Sequence, residues 1–283
     1  MHAILHLTPG TPCWPAELDD IDDPPEELWI AGRAELLRRR PRVAVVGTRS
    51  PTPYGELQAA RVAACLAAHG VVVVSGLARG VDELAHRAAL EGGGATLAVL
   101  GSGVDRPWPE GELAQRMLRE GCLVSEFRPG QGPRRHHFPW RNRLIAGLSD
   151  LVVVVEAAYS SGSLITARWA VDQGRDVFAI PGRVDHPMSR GCHRLIREGA
   201  ELLESPGELL VALGLEPAPA ASEAPPADPL LAALRGETCT ADELAARLAL
   251  PTPEVLARLV ELELAGHVVR GPGGLYRLRR APA

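Results

Sequence analysis

VVVVSGLARGVDELAHRAALEGGGATLAVLG, residues 71–101, holds two short apolar runs separated by a glycine-rich turn and one amphipathic segment. The runs VVVVSG (71–76) and TLAVLG (96–101) are continuous rather than alternating, largely β-branched and too short for helices. They therefore predict strands buried on both faces. Between them DELAHRAALEGG predicts a helix, with Asp82 as its N-cap and Gly92 as its stop. The same rhythm recurs in VAVVG (43–47), CLVSE (122–126), LVVVVE (151–156) and VFAIPG (177–182). Strand, helix, strand, repeated, implies an α/β fold: a doubly wound parallel sheet covered on both sides.

Outward from this core, residues 41–215 form the main domain. Residues 1–40, acidic in the middle and punctuated by proline, read as an extension packed on it. EPAPAASEAPPADP, 216–229, has little to bury and predicts a semi-rigid linker. Residues 230–283 carry two helix starts, a capping box at Thr240 and Glu243 and the pair Thr252–Pro253. HVVR, GPGG and LYRLRR follow as a two-stranded wing, so this part predicts a winged helix.

Composition removes several classes. No apolar run reaches the roughly 18 residues of a membrane span, and MHAILHLTPG has no basic segment followed by a long apolar one, so a cytoplasmic protein is expected. Five scattered cysteines without a Cys-x-x-Cys pair argue against disulfides and zinc, and no metal is expected. The chain contains no Lys, which excludes a Walker A loop, and GTRSPTPYG (47–55) is not G-x-G-x-x-G. Nucleotide-driven hydrolysis and nicotinamide chemistry are therefore disfavoured, and no cofactor is expected.

The loops at the carboxyl ends of the strands, GTRSPTPYG, SGLARGVD (75–82), GSGVD (101–105) and SSGS (160–163), are small-residue turns that let backbone approach an anion. Between the fourth and fifth runs lies RPGQGPRRHHFPWRNRLIAGLSD, 128–150. From Phe127 to Ser149 it has five arginines and no acid, in a chain of net charge -5. Guanidinium groups with interspersed rings suit single-stranded nucleic acid, which offers both phosphates and base faces. Two readings stand for Phe138 and Trp140, stacking platforms or core residues, and Asn142 reads equally as a cap of the helix LIAGLS. His136 and His137 read as loop residues rather than ligands or bases.

These segments, together with SSGSLITARWAVDQGRDVFAIPG and GCHRLIREGAELL, closely resemble the bacterial DNA-processing protein A family (DprA, also called Smf) over nearly all of residues 12–215. The resemblance implies an extended Rossmann core that binds single-stranded DNA, forms a homodimer and helps load the RecA recombinase in natural transformation, with a carboxy-terminal winged helix. The family's basic pocket carries over to Arg49, Arg135, Phe138, Arg141 and Arg143, with Arg134 and Asn142 beside them. Ser75, Gly76, Ala78 and Gly80 of SGLARG, and Ser161, Gly162 and Ser163 of SSGS, correspond to its phosphate contacts. Its dimer-forming segment falls on HRLIREGAELL, at His193, Leu195, Ile196 and Leu202. The residues ahead of Thr11 are too few for the small helical domain that many members carry there.

A binder without catalytic residues is the favoured reading. The alternative is a Rossmann-like nucleotide hydrolase, which needs a carboxylate near the sugar; Glu126, Glu156 and Asp82 lie near strand ends, but no spacing pairs them. The winged helix's third helix, PEVLARLVELEL, is net negative and a poor reader of a DNA groove, which favours a protein-contact role.

Overall fold

The computed structural model describes residues 3–216 and 228–279. Most of the predicted linker at 216–229 lies outside the described residues. In the larger of two compact units, nine strands among the described residues form one sheet: β1 (Ile4–Leu7), β2 (Leu28–Gly32), β3 (Arg42–Val46), β4 (Val72–Ser75), β5 (Thr96–Val99), β6 (Cys122–Ser125), β7 (Leu151–Val154), β8 (Asp176–Ala179) and β9 (Glu201–Leu202). The order is β1-β2-β6-β5-β4-β3-β7-β8-β9, parallel from β6 to β9 and antiparallel at β1 and β2. The helices α1 (Pro53–Ala68), which belongs to this unit from Gln58 onward, α2 (Val81–Glu91), α3 (Glu112–Glu120), α4 (His137–Gly147), α5 (Ser163–Asp172), α6 (Arg190–Arg197) and α7 (Pro206–Ala212) accompany the sheet.

The six predicted strands are β3 to β8, and all but the first residue of β8 is buried. Alternate residues feed opposite faces: Leu97 and Val99 join a core with Leu144 and Ile145 of α4, while Ala98 and Leu100 pack with Leu113 and Met117 of α3. The sheet is wider than the hydrophobic runs predict. The extension before residue 41 supplies β1 and β2, with Ile30 opposite Val124 of β6. β1 is mostly exposed, so it lacks the continuous apolar run that marks an inner strand. The basic run RRRPR, residues 38–42, ties this extension down: Arg40 and Arg42 both pair with Glu17, Arg40 also with Asp150, and the Arg42 N–H donates to Asp150 at 2.7 Å.

The smaller unit has α8 (Pro229–Ala233), α9 (Ala241–Leu248) and α10 (Thr252–Leu264), then β10 (Val268–Arg270) paired antiparallel with β11 (Tyr276–Leu278). This is a winged helix. The capping box is formed: Glu243 accepts the Thr240 N–H at 2.7 Å, and Thr240 Oγ1 accepts the Glu243 N–H at 3.2 Å. Leu244, Val255, Leu259 and Tyr276 centre its core. Among the described residues no helix is long and apolar enough to cross a membrane.

Candidate nucleic-acid interface

From β3 the chain winds outward through β4 and β5 to β6, then returns across the sheet by α4 to place β7 on the other side of β3. The order reverses between β3 and β7, and at such a switch point the loops leaving two neighbouring strands part and open a crevice. A cavity of about 580 Å³ lies there. Val46 to Arg49 at the end of β3 and Ser160 to Ser163 at the start of α5 form two sides, with Ala78 from the β4–α2 turn, Asp82 from the first turn of α2, and Arg135, Phe138, Arg141 and Asn142 from α4 and the segment before it. The volume is that of a small-ligand site.

Each side chain has a distinct local cause. α4 starts at His137, earlier than the helix predicted at LIAGLS, so Phe138, Arg141 and Asn142 ride on a helix rather than a loop. Asn142 is not its cap; its amide donates to the Gly162 carbonyl at 3.3 Å and ties α4 to the SSGS turn. Phe138 is half-buried, and the Arg49 guanidinium stands 5.8 Å from its ring centroid, within cation–π range. Arg49 and Arg135 are exposed, and among the described residues neither has an acidic partner. Ser161 and Ser163 share a hydroxyl hydrogen bond of 2.8 Å where α5 begins, a helix terminus that favours negative charge.

Arg141 is the floor. It is 3% exposed and donates to the carbonyls of Gly76, at 2.9 Å, and Val99, while its buried Nε has no partner among the described residues. Burial pushes its guanidinium down to about 10, against the opposing pull of Asp82. Asp82 is not the N-cap of α2: it lies inside the first turn, Gly80 holds the cap position, and the Asp82 carboxylate accepts the Gly76 N–H at 3.1 Å. Burial raises its carboxyl above the usual range, and the Arg141 charge and the backbone N–H groups resist that. A Cβ on Gly76 would sit 2.4 Å from the Arg141 guanidinium, so only glycine admits this floor. Gly80, at φ +85°, lets the β4–α2 turn meet the Thr48 carbonyl, where a Cβ would stand 2.5 Å away.

Five of the residues expected to touch DNA do not line the cavity. Ser75 is fully buried and its hydroxyl donates to Val45 O at 2.7 Å, so it is part of the sheet. Gly76 and Gly80 act as spacers for Arg141 and Thr48. Arg134 is exposed outside the cavity. Arg143 is 2% exposed; both its terminal nitrogens hold Glu126, at 2.7 and 2.6 Å, its Nε donates to Asp23 O at 2.9 Å, and its guanidinium lies 4.3 Å from the Trp140 ring. Its charge is spent inside the protein. Arg128 is likewise paired, with Glu27 at 2.7 Å. Trp140 is a cover for Arg143, and His137 is buried, with its ring stacked on Phe127 and bonded to Gly101 O at 3.0 Å.

The cavity also takes in Thr48, Ser160 and Thr166, which the motif reading passed over. Thr48 and Ser160 sit inside quoted turns; Thr166 lies three residues after Ser163 on α5, the spacing of one helical face. In the expected dimer segment, His193 bonds to Gly182 O at 3.0 Å and Leu195 and Ile196 pack on the core. Leu202, on edge strand β9, is 41% exposed.

A DNA recombination-mediator protein A model matches residues 6–214, and a DprA winged helix domain model matches residues 215–274. The chain belongs to the DNA recombination-mediator protein A family. Within this family it is 44% identical to Protein Smf of Escherichia coli strain K12, over 98% of this chain and 78% of that one. The X-ray structure of DNA processing protein A from Streptococcus pneumoniae aligns with a TM-score of 0.70 and 43% identity over 74% of each chain. DNA processing protein A from Helicobacter pylori, whose structure concerns its single-stranded DNA binding mode, aligns with a TM-score of 0.68 and 31% identity, over 75% of this chain and 96% of that one.

Proposed function

We propose that this protein binds single-stranded DNA at the β3–β7 switch point without catalysing a reaction, and that it passes the strand to the RecA recombinase. One observation carries the binding: two guanidinium groups without acidic partners among the described residues, Arg49 and Arg135, and the half-buried ring of Phe138 line the same cavity. The cations suit phosphates and the ring suits a base face. Arg141, with its unpartnered buried Nε, supplies a donor at the floor for an oxygen or ring nitrogen of the nucleotide. The single-stranded DNA binding of the Helicobacter pylori relative supports the ligand, and recombination mediation as the family's role supports the recombinase as recipient.

A binder rather than a hydrolase is supported by the acids. Among the described residues lining the cavity, Asp82 is the lone carboxylate, and it faces Arg141 and the Gly76 N–H; Glu126 is held by Arg143. Homodimerisation through the β9 edge, with Leu202 at the contact, is part of the same reading. The deciding measurement is affinity for oligothymidylate at low salt. Phe138→Ala is expected to weaken binding roughly 5- to 150-fold, the loss of one stacked base, and Arg49→Ala to weaken it as well. Unchanged affinity in both variants rejects the site.

A further inference from the structure

The GSGVD turn after β5 is the one small-residue turn of the rim that the cavity does not use, and it leads into RPWPEG, residues 106–111. Its first residue touches the stacking platform: a Cβ on Gly101 would meet the Phe138 ring at 3.1 Å. Further along, Arg106 is exposed without an acidic partner among the described residues, and Trp108 is 53% exposed. The loop that displays them is tied at several points. Gly103 N–H donates to Gln131 O at 2.8 Å, Ser102 Oγ to Arg106 O at 2.7 Å, and the Asp105 carboxylate accepts the Gly130 N–H at 2.8 Å.

A second contact links the two places. In the β4–α2 turn Ala78 lines the large cavity, while its neighbours Leu77 and Arg79 line a separate pocket of about 200 Å³ shared with Pro109, the residue after Trp108. Arg79 is exposed and unpaired among the described residues. Ring, cation and cavity edge thus follow one another along the rim.

Resting on the single-strand reading above, we infer that Trp108 is a second stacking site, which takes one further base of a strand leaving the cavity past Arg79, with Arg106 beside it for phosphate. A tryptophan on a tied loop loses little freedom on stacking, and any base offers it a π face. The charges also set where the track stops. Glu110 and Glu112 are exposed and line the same pocket as Arg79 and Pro109, so a phosphate backbone is repelled from continuing through that pocket past Trp108, and the gain is one base and not a run.

The test is the affinity of thymidine monophosphate and of oligothymidylates, lengthened a nucleotide at a time to about ten, for the native chain, Trp108→Ala, Trp108→Phe and Phe138→Ala. Trp108→Ala is expected to match the native chain on the shortest ligands and to fall roughly 5- to 150-fold behind once the strand reaches the loop, with Trp108→Phe restoring most of the difference. A deficit equal at every length, or at none, with Phe138→Ala weakened throughout, overturns the second site alone. Phe138→Ala equal to the native chain at every length overturns the cavity reading and this extension with it.

Discussion

Arg141 and Arg143 stand two residues apart on α4 and share a motif, yet their surroundings give them different work. Arg141 faces the cavity and holds the β4–α2 turn by its carbonyl; Arg143 faces the amino-terminal extension and is neutralised by Glu126. With side-chain exposures of 2% and 12%, the Arg143–Glu126 pair is shielded from solvent screening, so removing one partner strands a charge. Arg143→Ala is expected to lower unfolding free energy by about 3–5 kcal/mol, whereas Arg143→Met with Glu126→Leu recovers most of it, because no ion is then left unpaired. Denaturant unfolding of the three chains checks this. The folded fraction of Arg143→Ala is expected to bind oligothymidylate like the native protein, the result that separates it from Arg49→Ala.

At the scale of elements, the β4–α2 turn depends on a residue from outside it. Leu77, buried, takes φ +58°, a backbone region costly for a branched side chain, and its N–H points to His86 Nε2 at 3.4 Å. The Thr96 hydroxyl donates to Val73 O at 2.8 Å, so its oxygen accepts from His86 Nδ1 at 2.7 Å; the imidazole is neutral, with its proton on Nδ1. Burial, with the Arg141 charge behind it, drops its pKa from 6.5 to about 3. The unfolded chain therefore binds a proton below pH 6.5 that the folded chain refuses, and folding loses stability as pH falls from about 6.5 towards 3, at about 1.4 kcal/mol per pH unit for this group. Unfolding free energies at pH 7, 6 and 5 (roughly spanning this range) for native and His86→Gln chains should converge as pH falls. A constant difference contradicts the neutral, buried imidazole. The same elements show what was legible in sequence. Strands buried on both faces announce themselves as β-branched runs, and β3 to β8 appear where those runs are. β1 and β9 are exposed edge strands, one four residues long and the other two, and carry no such signal. Three of the four small-residue turns named from the motifs line the cavity, but a motif names residue types and not the direction a helix face points. Arg143 and Ser75 look like ligand residues in one dimension and are packing residues in three.

For the whole molecule, a net charge of -5 means that long-range attraction to DNA is absent and affinity must come from a local patch. How large that patch is follows from which arginines remain uncommitted. Of the five in the basic segment, Arg128 and Arg143 are paired with Glu27 and Glu126, and Arg141 sits against Asp82; Arg134 and Arg135 are exposed, and Arg49 joins them from the β3 turn. On an oligothymidylate too short to reach Arg79, Arg106 and Trp108, these three cations, each neutralising one phosphate of a single strand, give a slope of about -2 for log affinity against log salt, since each contributes about -0.7. Counting all five arginines of the segment together with Arg49 would give about -4. A salt titration with oligothymidylate of that short length separates the two, and Arg135→Ala is expected to make the slope shallower by about 0.7 while Arg143→Met leaves it unchanged. A slope near -4 would mean that the strand pulls Arg128, Arg141 and Arg143 away from their acids, and that the interface is assembled by DNA rather than waiting for it.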